Sequence, residues 1–281
     1  MGAKTKIDWA DASWNPVTGC LHGCEYCYAR KIAERFKGYN HIGSGAGPSY
    51  TFDEKGGSTV LRTLGETGGP FDFYNTVIDK KDGGRTKFVR APYPFGFNPT
   101  LHHELLEVPQ HWKKPRTIFV CSMADLFGEW VLDSWIETVL KACERAPQHR
   151  YLFLTKNPKR YGELLRKGIV LPNTIDWMYG FTMDGASRLP DRHPLGYRVF
   201  CSIEPILNKP DELLDIIELT DWCIVGAETG NRQGKVVPER SWIESIVQRC
   251  QSKNIPVFMK ESLRELMGSD FTQETPWDVR K

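Results

Sequence analysis

Thr117-Ile118-Phe119-Val120-Cys121 opens a rhythm that decides the architecture of this chain. Tyr151-Leu152-Phe153-Leu154-Thr155, Trp177-Met178-Tyr179-Gly180-Phe181-Thr182, Val199-Phe200-Cys201-Ser202-Ile203, Trp222-Cys223-Ile224-Val225-Gly226 and Val257-Phe258-Met259 follow in turn. Each run is short, rich in β-branched and aromatic residues, and apolar at consecutive positions. Strands that are apolar on both faces belong to buried parallel sheets. Between the runs, residues 134–145, 158–167, 210–219 and 241–252 carry the helical period. With a first strand around residues 14–18, the count comes to about seven βα units, which predicts an α/β fold, a partial or nearly closed (β/α) barrel. A doubly wound open sheet is the alternative. No G-x-G-x-x-G follows the first strand, so a dinucleotide-binding unit has no support.

Just after that first strand stands Gly19-Cys20-Leu21-His22-Gly23-Cys24-Glu25-Tyr26-Cys27-Tyr28. The C-x3-C-x2-C spacing packs Cys20, Cys24 and Cys27 too tightly for sensible disulfides. It suits three corners of a cubane [4Fe–4S] cluster, for which thiolate is the soft ligand. Three protein ligands leave one iron open to a substrate or cofactor. A zinc site is the competing reading: His22 or a distant cysteine would be the fourth ligand, and the chain a non-enzymatic binding module. Paired C-x-x-C knuckles, the strong zinc signal, are absent. A redox dithiol of Cys24 and Cys27 leaves Cys20 unexplained. Residues 28–36 then read as an amphipathic helix, with Ile32 and Phe36 four apart on its apolar face. Its N-terminal amides and dipole favour an anionic group beside the cysteines.

The 281 residues suffice for one large core, and the reading is a single domain over 1–281. Thirty-seven basic residues against 35 acidic give a net charge of +2, no global signal for a polyanionic partner. No apolar run is long enough to span a membrane, and the start of the chain lacks a signal-peptide core. Cys121, Cys143, Cys201, Cys223 and Cys250 sit in apolar contexts and read as core residues of a reducing compartment, so the expected location is cytoplasmic. Residues 38–115 break the rhythm. Twelve of the 25 glycines fall within 38–100, together with Phe71, Phe73, Tyr74, Phe88, Tyr93, Phe95 and Phe97. This stretch is too long for an ordinary connection and reads as an irregular insertion of loops and hairpins, a lid or substrate wall.

In barrels of this kind chemistry sits where the strands end. The sequence puts polar groups at nearly every such place: Ser122 and Asp125, Thr155, Lys156 and Asn157, Thr182 and Asp184, Ser202 and Glu204, Glu228 and Thr229, Lys260 and Glu261. Single instances read equally well as helix caps. Their recurrence at successive strand ends points to a pocket for a polar cofactor.

The cysteine run, with Tyr26 before the third cysteine, resembles the signature of the radical S-adenosylmethionine (SAM) superfamily. The segments Trp14-Asn15-Pro16-Val17-Thr18-Gly19-Cys20, Ser122-Met123-Ala124-Asp125-Leu126-Phe127, Phe153-Leu154-Thr155-Lys156-Asn157-Pro158, Ser202-Ile203-Glu204-Pro205 and Ile224-Val225-Gly226-Ala227-Glu228 are similar to phage-associated, largely uncharacterised radical-SAM-like proteins, with a distant likeness to spore photoproduct lyase. That family often has Ser-Val-Glu-Asn where this chain has Phe181-Thr182-Met183-Asp184-Gly185. The resemblance implies a [4Fe–4S] cluster on Cys20, Cys24 and Cys27, and SAM chelated by the open iron. It further implies a reductant such as flavodoxin or ferredoxin, and reductive cleavage of SAM to a 5′-deoxyadenosyl radical. On that reading Asp184, Glu204 and Glu228 suit the ribose or ammonium of SAM, and Lys156 and Lys260 suit its carboxylate or an anionic substrate. Ser122, Asp125, Thr182 and Ser202 complete the expected cofactor-binding set. The substrate stays unidentified. A nucleic acid or nucleotide is weakly favoured by the basic runs 111–116 and 156–160.

Overall fold

A computed structural model describes residues 5, 7–39, 41–42, 49–52, 58–61, 73–79, 83–184, 196–211 and 213–278. The expected ordered aromatic Phe71 lies outside this set. The chain divides into two compact units. The first comprises Met1–Ser13, Lys114–Val120 and Pro147–Lys281; the second comprises Trp14–Lys113 and Cys121–Ala146.

The main sheet has seven strands: β1 (Ala12–Trp14), β2 (Thr117–Val120), β3 (Arg150–Thr155), β4 (Trp177–Thr182), β5 (Val199–Ile203), β6 (Trp222–Val225) and β7 (Val257–Met259). The helices are α1 (Tyr28–Arg35), α2 (Asp133–Glu144), α3 (Lys159–Arg166), α4 (Leu214–Ile217), α5 (Arg240–Ser252) and α6 (Arg264–Met267). In the sheet the strands lie side by side in chain order, and the neighbours from β2 to β7 pair parallel. A doubly wound sheet reverses its order at a switch point; this one never does. β1 and β7 are its two edges, so the sheet is a curled partial (β/α) barrel, as the runs of apolar residues predict.

Alternation along the strands sorts side chains onto two faces. On one, Phe119, Leu152, Met178, Phe200, Trp222, Ile224 and Phe258 pack with Trp9 and Trp277. On the other, Phe181, Val199, Cys201, Ile203, Cys223, Val225, Val257 and Met259 meet Ile217 of α4, Ile243, Ile246 and Cys250 of α5, and Met267 of α6. Burying each large side chain contributes about 1.5–3 kcal/mol. Both faces are covered, which explains why the strands read as unbroken apolar runs. Gly180 is required on the first face: a Cβ there would stand 2.3 Å from the Phe200 ring.

The expected first strand divides in two. Only Ala12–Trp14 joins the main sheet, while Val17–Thr18 pairs antiparallel with Thr100–Leu101. The stretch after α1 contains a three-stranded antiparallel sheet of His41–Ile42, Phe73–Asp79 and Arg85–Arg90, and a hairpin of Ser49–Phe52 with Ser58–Leu61. α1 differs from expectation in the face it buries. Ala29 and Ala33 pack against Phe97 and Met123, and Ile32 and Phe36 are 38% and 53% exposed. The small alanines let the helix backbone approach closely, and Phe97 and Met123 already fill the contact.

Candidate functional site

The cysteine loop is built into the second unit from both ends. Gly19 has φ +89°, and a Cβ there would fall 2.2 Å from the carbonyl oxygen of Asn98, so only glycine fits. Its N–H donates to Met123 O at 2.9 Å, and Cys20 N–H donates to Phe97 O at 3.2 Å. Cys27 caps α1, its Sγ accepting from Arg30 N–H at 3.4 Å. A turn is closed by Cys27 N–H donating to Cys24 O at 3.3 Å. Between the cysteines, His22 Nε2–H donates to Asp125 Oδ2 at 2.7 Å, and the imidazole meets the Trp130 ring edgewise at 4.8 Å. Asp125 Oδ1 accepts from Phe127 N–H at 3.0 Å. Tyr28 Oη donates to Ser122 O at 2.9 Å, while Ser122 Oγ and Met123 N–H both donate to Asn15 Oδ1, at 3.1 and 3.0 Å. Ser122 and Asp125, expected to touch cofactor, therefore also brace the loop. Asn15, Tyr28 and Trp130 are scaffold residues that no chemical motif announced.

The residues fit an iron–sulfur cluster by donor chemistry. The three thiols form no disulfide and are half-buried, and Cys20 and Cys27 pack beside Ala29, Phe97 and Met123 at the N-terminus of α1. Burial pushes the Cys20 thiol up to about 12, with the negative charge of Asp125 adding to it. Metal uptake therefore has to displace that proton. Among the described residues no three His, Cys, Asp or Glu side chains are gathered round a common point.

In the first unit the strand-end residues fall into two groups. Thr182 and Ser202, within β4 and β5, are an even number of residues beyond Met178 and Phe200 and share their face, while Lys156, Asp184, Glu204, Glu228 and Lys260 lie one to three residues past the ends of β3, β4, β5, β6 and β7. Thr182 and Ser202 are register partners on β4 and β5. The charged residues come in pairs: Lys156 with Asp184, Lys260 with Glu204, and Glu228 with Arg232. Arg232 is a member that spacing alone did not single out. It grips Glu228 with two hydrogen bonds, Nε to Oε1 at 2.7 Å and Nη2 to Oε2 at 2.8 Å, and holds that carboxyl below the usual range. Gly226 makes room for the stem of Lys260, whose Cδ would be 3.0 Å from a Cβ there. Ser202 Oγ is buried and has no hydrogen-bond partner among the described residues. A buried hydroxyl without a partner costs about 1–3 kcal/mol, which a ligand atom would recover.

Other strand-end residues serve the fold. Thr155 Oγ1 accepts from Asn157 N–H at 2.9 Å, and Glu261 pairs with Arg264 at the surface. The basic run 156–160 is no solvated stripe: Lys156 pairs with Asp184, and Arg160 is 3% exposed with Glu163 at 3.4 Å. Among the described residues no helix is long and apolar enough to cross a membrane.

An α/β partial barrel of this kind is also the fold of spore photoproduct lyase. A cysteine-to-alanine mutant of that enzyme with dinucleoside spore photoproduct matches with a TM-score of 0.50 and 10% identity, over 92% of this chain and 79% of that one. The lyase complexed with dinucleoside spore photoproduct matches with a TM-score of 0.49 and 10% identity, over the same shares. By sequence, the chain belongs to the DUF5131 family, proteins of unknown function, which it matches over residues 4–62 and 77–267. No curated protein matches it.

Proposed function

We propose that this chain is a radical SAM enzyme. The observation that carries the reading is the loop of Cys20, Cys24 and Cys27. It offers three half-buried, unbridged thiols, locked by Gly19 and the His22–Asp125 contact, at the N-terminus of α1. These residues would hold a [4Fe–4S] cluster with one iron free for SAM. When bound, the cluster supplies the electron for reductive cleavage of SAM to methionine and a 5′-deoxyadenosyl radical. The chain's own work is binding and orientation. Lys260 and Lys156 suit the SAM carboxylate, Glu204 and Asp184 its ammonium or ribose, and Ser202 Oγ and Thr182 supply neutral hydrogen bonds. Because each of these cations already has a carboxylate partner, ligand binding exchanges partners and brings no unpaired charge into the site. Glu228, fixed by Arg232, stays a carboxylate and acts as an acceptor.

The proposed substrate class is a nucleic acid or nucleotide. A structural relative of the same fold holds a dinucleoside photoproduct, and the sequence resembles phage-associated proteins of the radical SAM type. Cytoplasmic work with flavodoxin or ferredoxin as reductant, and a lid role for residues 38–115, belong to the same proposal. The test is anaerobic incubation of reconstituted protein with SAM and dithionite. Methionine and 5′-deoxyadenosine are the expected products. Methylthioadenosine as the main product would mean that a different C–S bond breaks, and would sink the deoxyadenosyl reading.

A further inference from the structure

The face of α1 that points away from its own core is apolar where a polar one is expected. Tyr28, Ile32 and Phe36 recur every four residues and are 52%, 38% and 53% exposed. Leu21, between the first two cysteines, is 47% exposed. At 100° per residue these three helix positions form one stripe, and Lys31 and Arg35 lie along its edge. Arg35 leans over Phe36 at 5.3 Å. Of the other charges nearby, Glu34 is spent on Lys37 at 2.9 Å, Arg30 lies against Phe97 at 5.7 Å, and Glu25 is an exposed acid in the cysteine loop before the helix, so the cationic edge is the Lys31 and Arg35 side. The result is an apolar centre with a cationic rim, the composition of a protein-docking surface. Its position is as telling as its composition. Cys27 caps this helix, Tyr28 is pinned to Ser122 O at 2.9 Å, and Phe36 lies nine residues beyond Cys27, about 13 Å along the axis at 1.5 Å per residue.

We propose that this face of α1 is the docking surface for the electron donor, a small acidic redox protein of the flavodoxin or ferredoxin kind. The inference rests on the radical SAM reading. An electron carrier has to seat its redox group close to the acceptor, since transfer falls steeply with distance. This stripe is exposed and carries apolar anchors immediately beside the cysteine ligands. Lys31 and Arg35 steer an acidic partner and fix its approach, and Ile32 and Phe36 supply contact area once water is expelled. The balance is one electron. The reduced carrier is oxidised by one electron, and that electron is consumed in breaking the S–C5′ bond of SAM, giving methionine and a 5′-deoxyadenosyl radical.

The experiment compares two ways of supplying that electron to reconstituted holoenzyme. One is dithionite, which needs no docking; the other is photoreduced bacterial flavodoxin. Two variants remove one feature each, I32E/F36E the anchors and K31E/R35E the rim. All four positions are exposed and none touches the proposed cofactor residues. Flavodoxin-driven formation of 5′-deoxyadenosine is expected to fall at least tenfold in I32E/F36E and about fivefold in K31E/R35E. Dithionite-driven formation should be unchanged in both. Flavodoxin affinity, measured by calorimetry on the same holoenzyme, should weaken in parallel. Raising salt should slow the wild type with flavodoxin more than it slows K31E/R35E. Equal flavodoxin affinity and rate in wild type and both variants would overturn the docking surface. Loss of a wild-type dimer in I32E/F36E, with flavodoxin binding intact, would assign the face to a second copy instead. No 5′-deoxyadenosine from fully iron-loaded wild type under dithionite would bring down the radical SAM reading itself, and this inference with it.

Discussion

Lys260 and Glu204 lie 56 residues apart in sequence and form an ion pair just past the ends of β7 and β5. Their side chains are 17% and 28% exposed, between the surface and buried regimes. Exposed pairs are worth roughly 0–1 kcal/mol, while breaking a buried one costs about 3–5 kcal/mol. Discounted for solvent, losing one partner here should cost about 1–2 kcal/mol. For a protein of this size that lowers Tm by about 2–8 °C, at roughly 2–4 °C per kcal/mol. K260M and E204Q should each show that loss. The double variant should recover part of it, because no unpaired charge is left behind. Ligand binding should behave differently: if the pair holds SAM, the double variant stays at least tenfold weaker in affinity, about 1.4 kcal/mol. Calorimetric titration of SAM into iron-loaded protein and thermal melts of all four forms read the two effects separately. SAM affinity unchanged in both single variants would refute the assignment, whatever the melts show.

Other expectations follow from particular contacts. G180A places a methyl against the Phe200 ring and should destabilise by about 1–3 kcal/mol in urea unfolding, since an aromatic ring in a packed core cannot give way locally. Arg232 holds the Glu228 carboxyl below its ordinary range, so the stability it contributes is present above the unfolded carboxylate range and lost as pH falls through the lowered value. The Tm gap between wild type and R232M should therefore be widest near neutral pH and close on acidification. Alanine at Cys121, Cys143, Cys201, Cys223 or Cys250, all buried away from solvent, should leave iron content unchanged while lowering Tm.

The sheet was legible because both of its faces are covered: strands with no polar alternation can only be buried and parallel. The position of the polar residues at strand ends was legible for a related reason. Lys156, Ser202, Glu204, Glu228 and Lys260 interrupt the apolar runs at or near the ends of the strands. Their pairing was not legible, because Lys260 meets Glu204, and Lys156 meets Asp184, only through strand register. The face of α1 was misread on periodicity. Tyr28, Ile32 and Phe36 have the spacing of a core stripe, and the helix buries its alanines instead. A four-residue period identifies a face; which face is buried depends on what neighbouring segments present, here Phe97 and Met123. The helix expected over residues 210–219 shrinks to Leu214–Ile217, its start taken up by the turn after Pro210. Asn15 and Trp130 escaped notice because a scaffold residue carries no chemical signature until its partner is known.

The most direct test of the central claim is the iron and sulfide content of anaerobically reconstituted protein, measured with its absorption near 400 nm, for wild type and for C20A, C24A and C27A. About four iron and four sulfide per chain are expected in the wild type, and near none in each variant, as for a cubane held by three thiolates. Stoichiometric zinc in place of iron, or iron that survives loss of any one of these cysteines, would contradict the account.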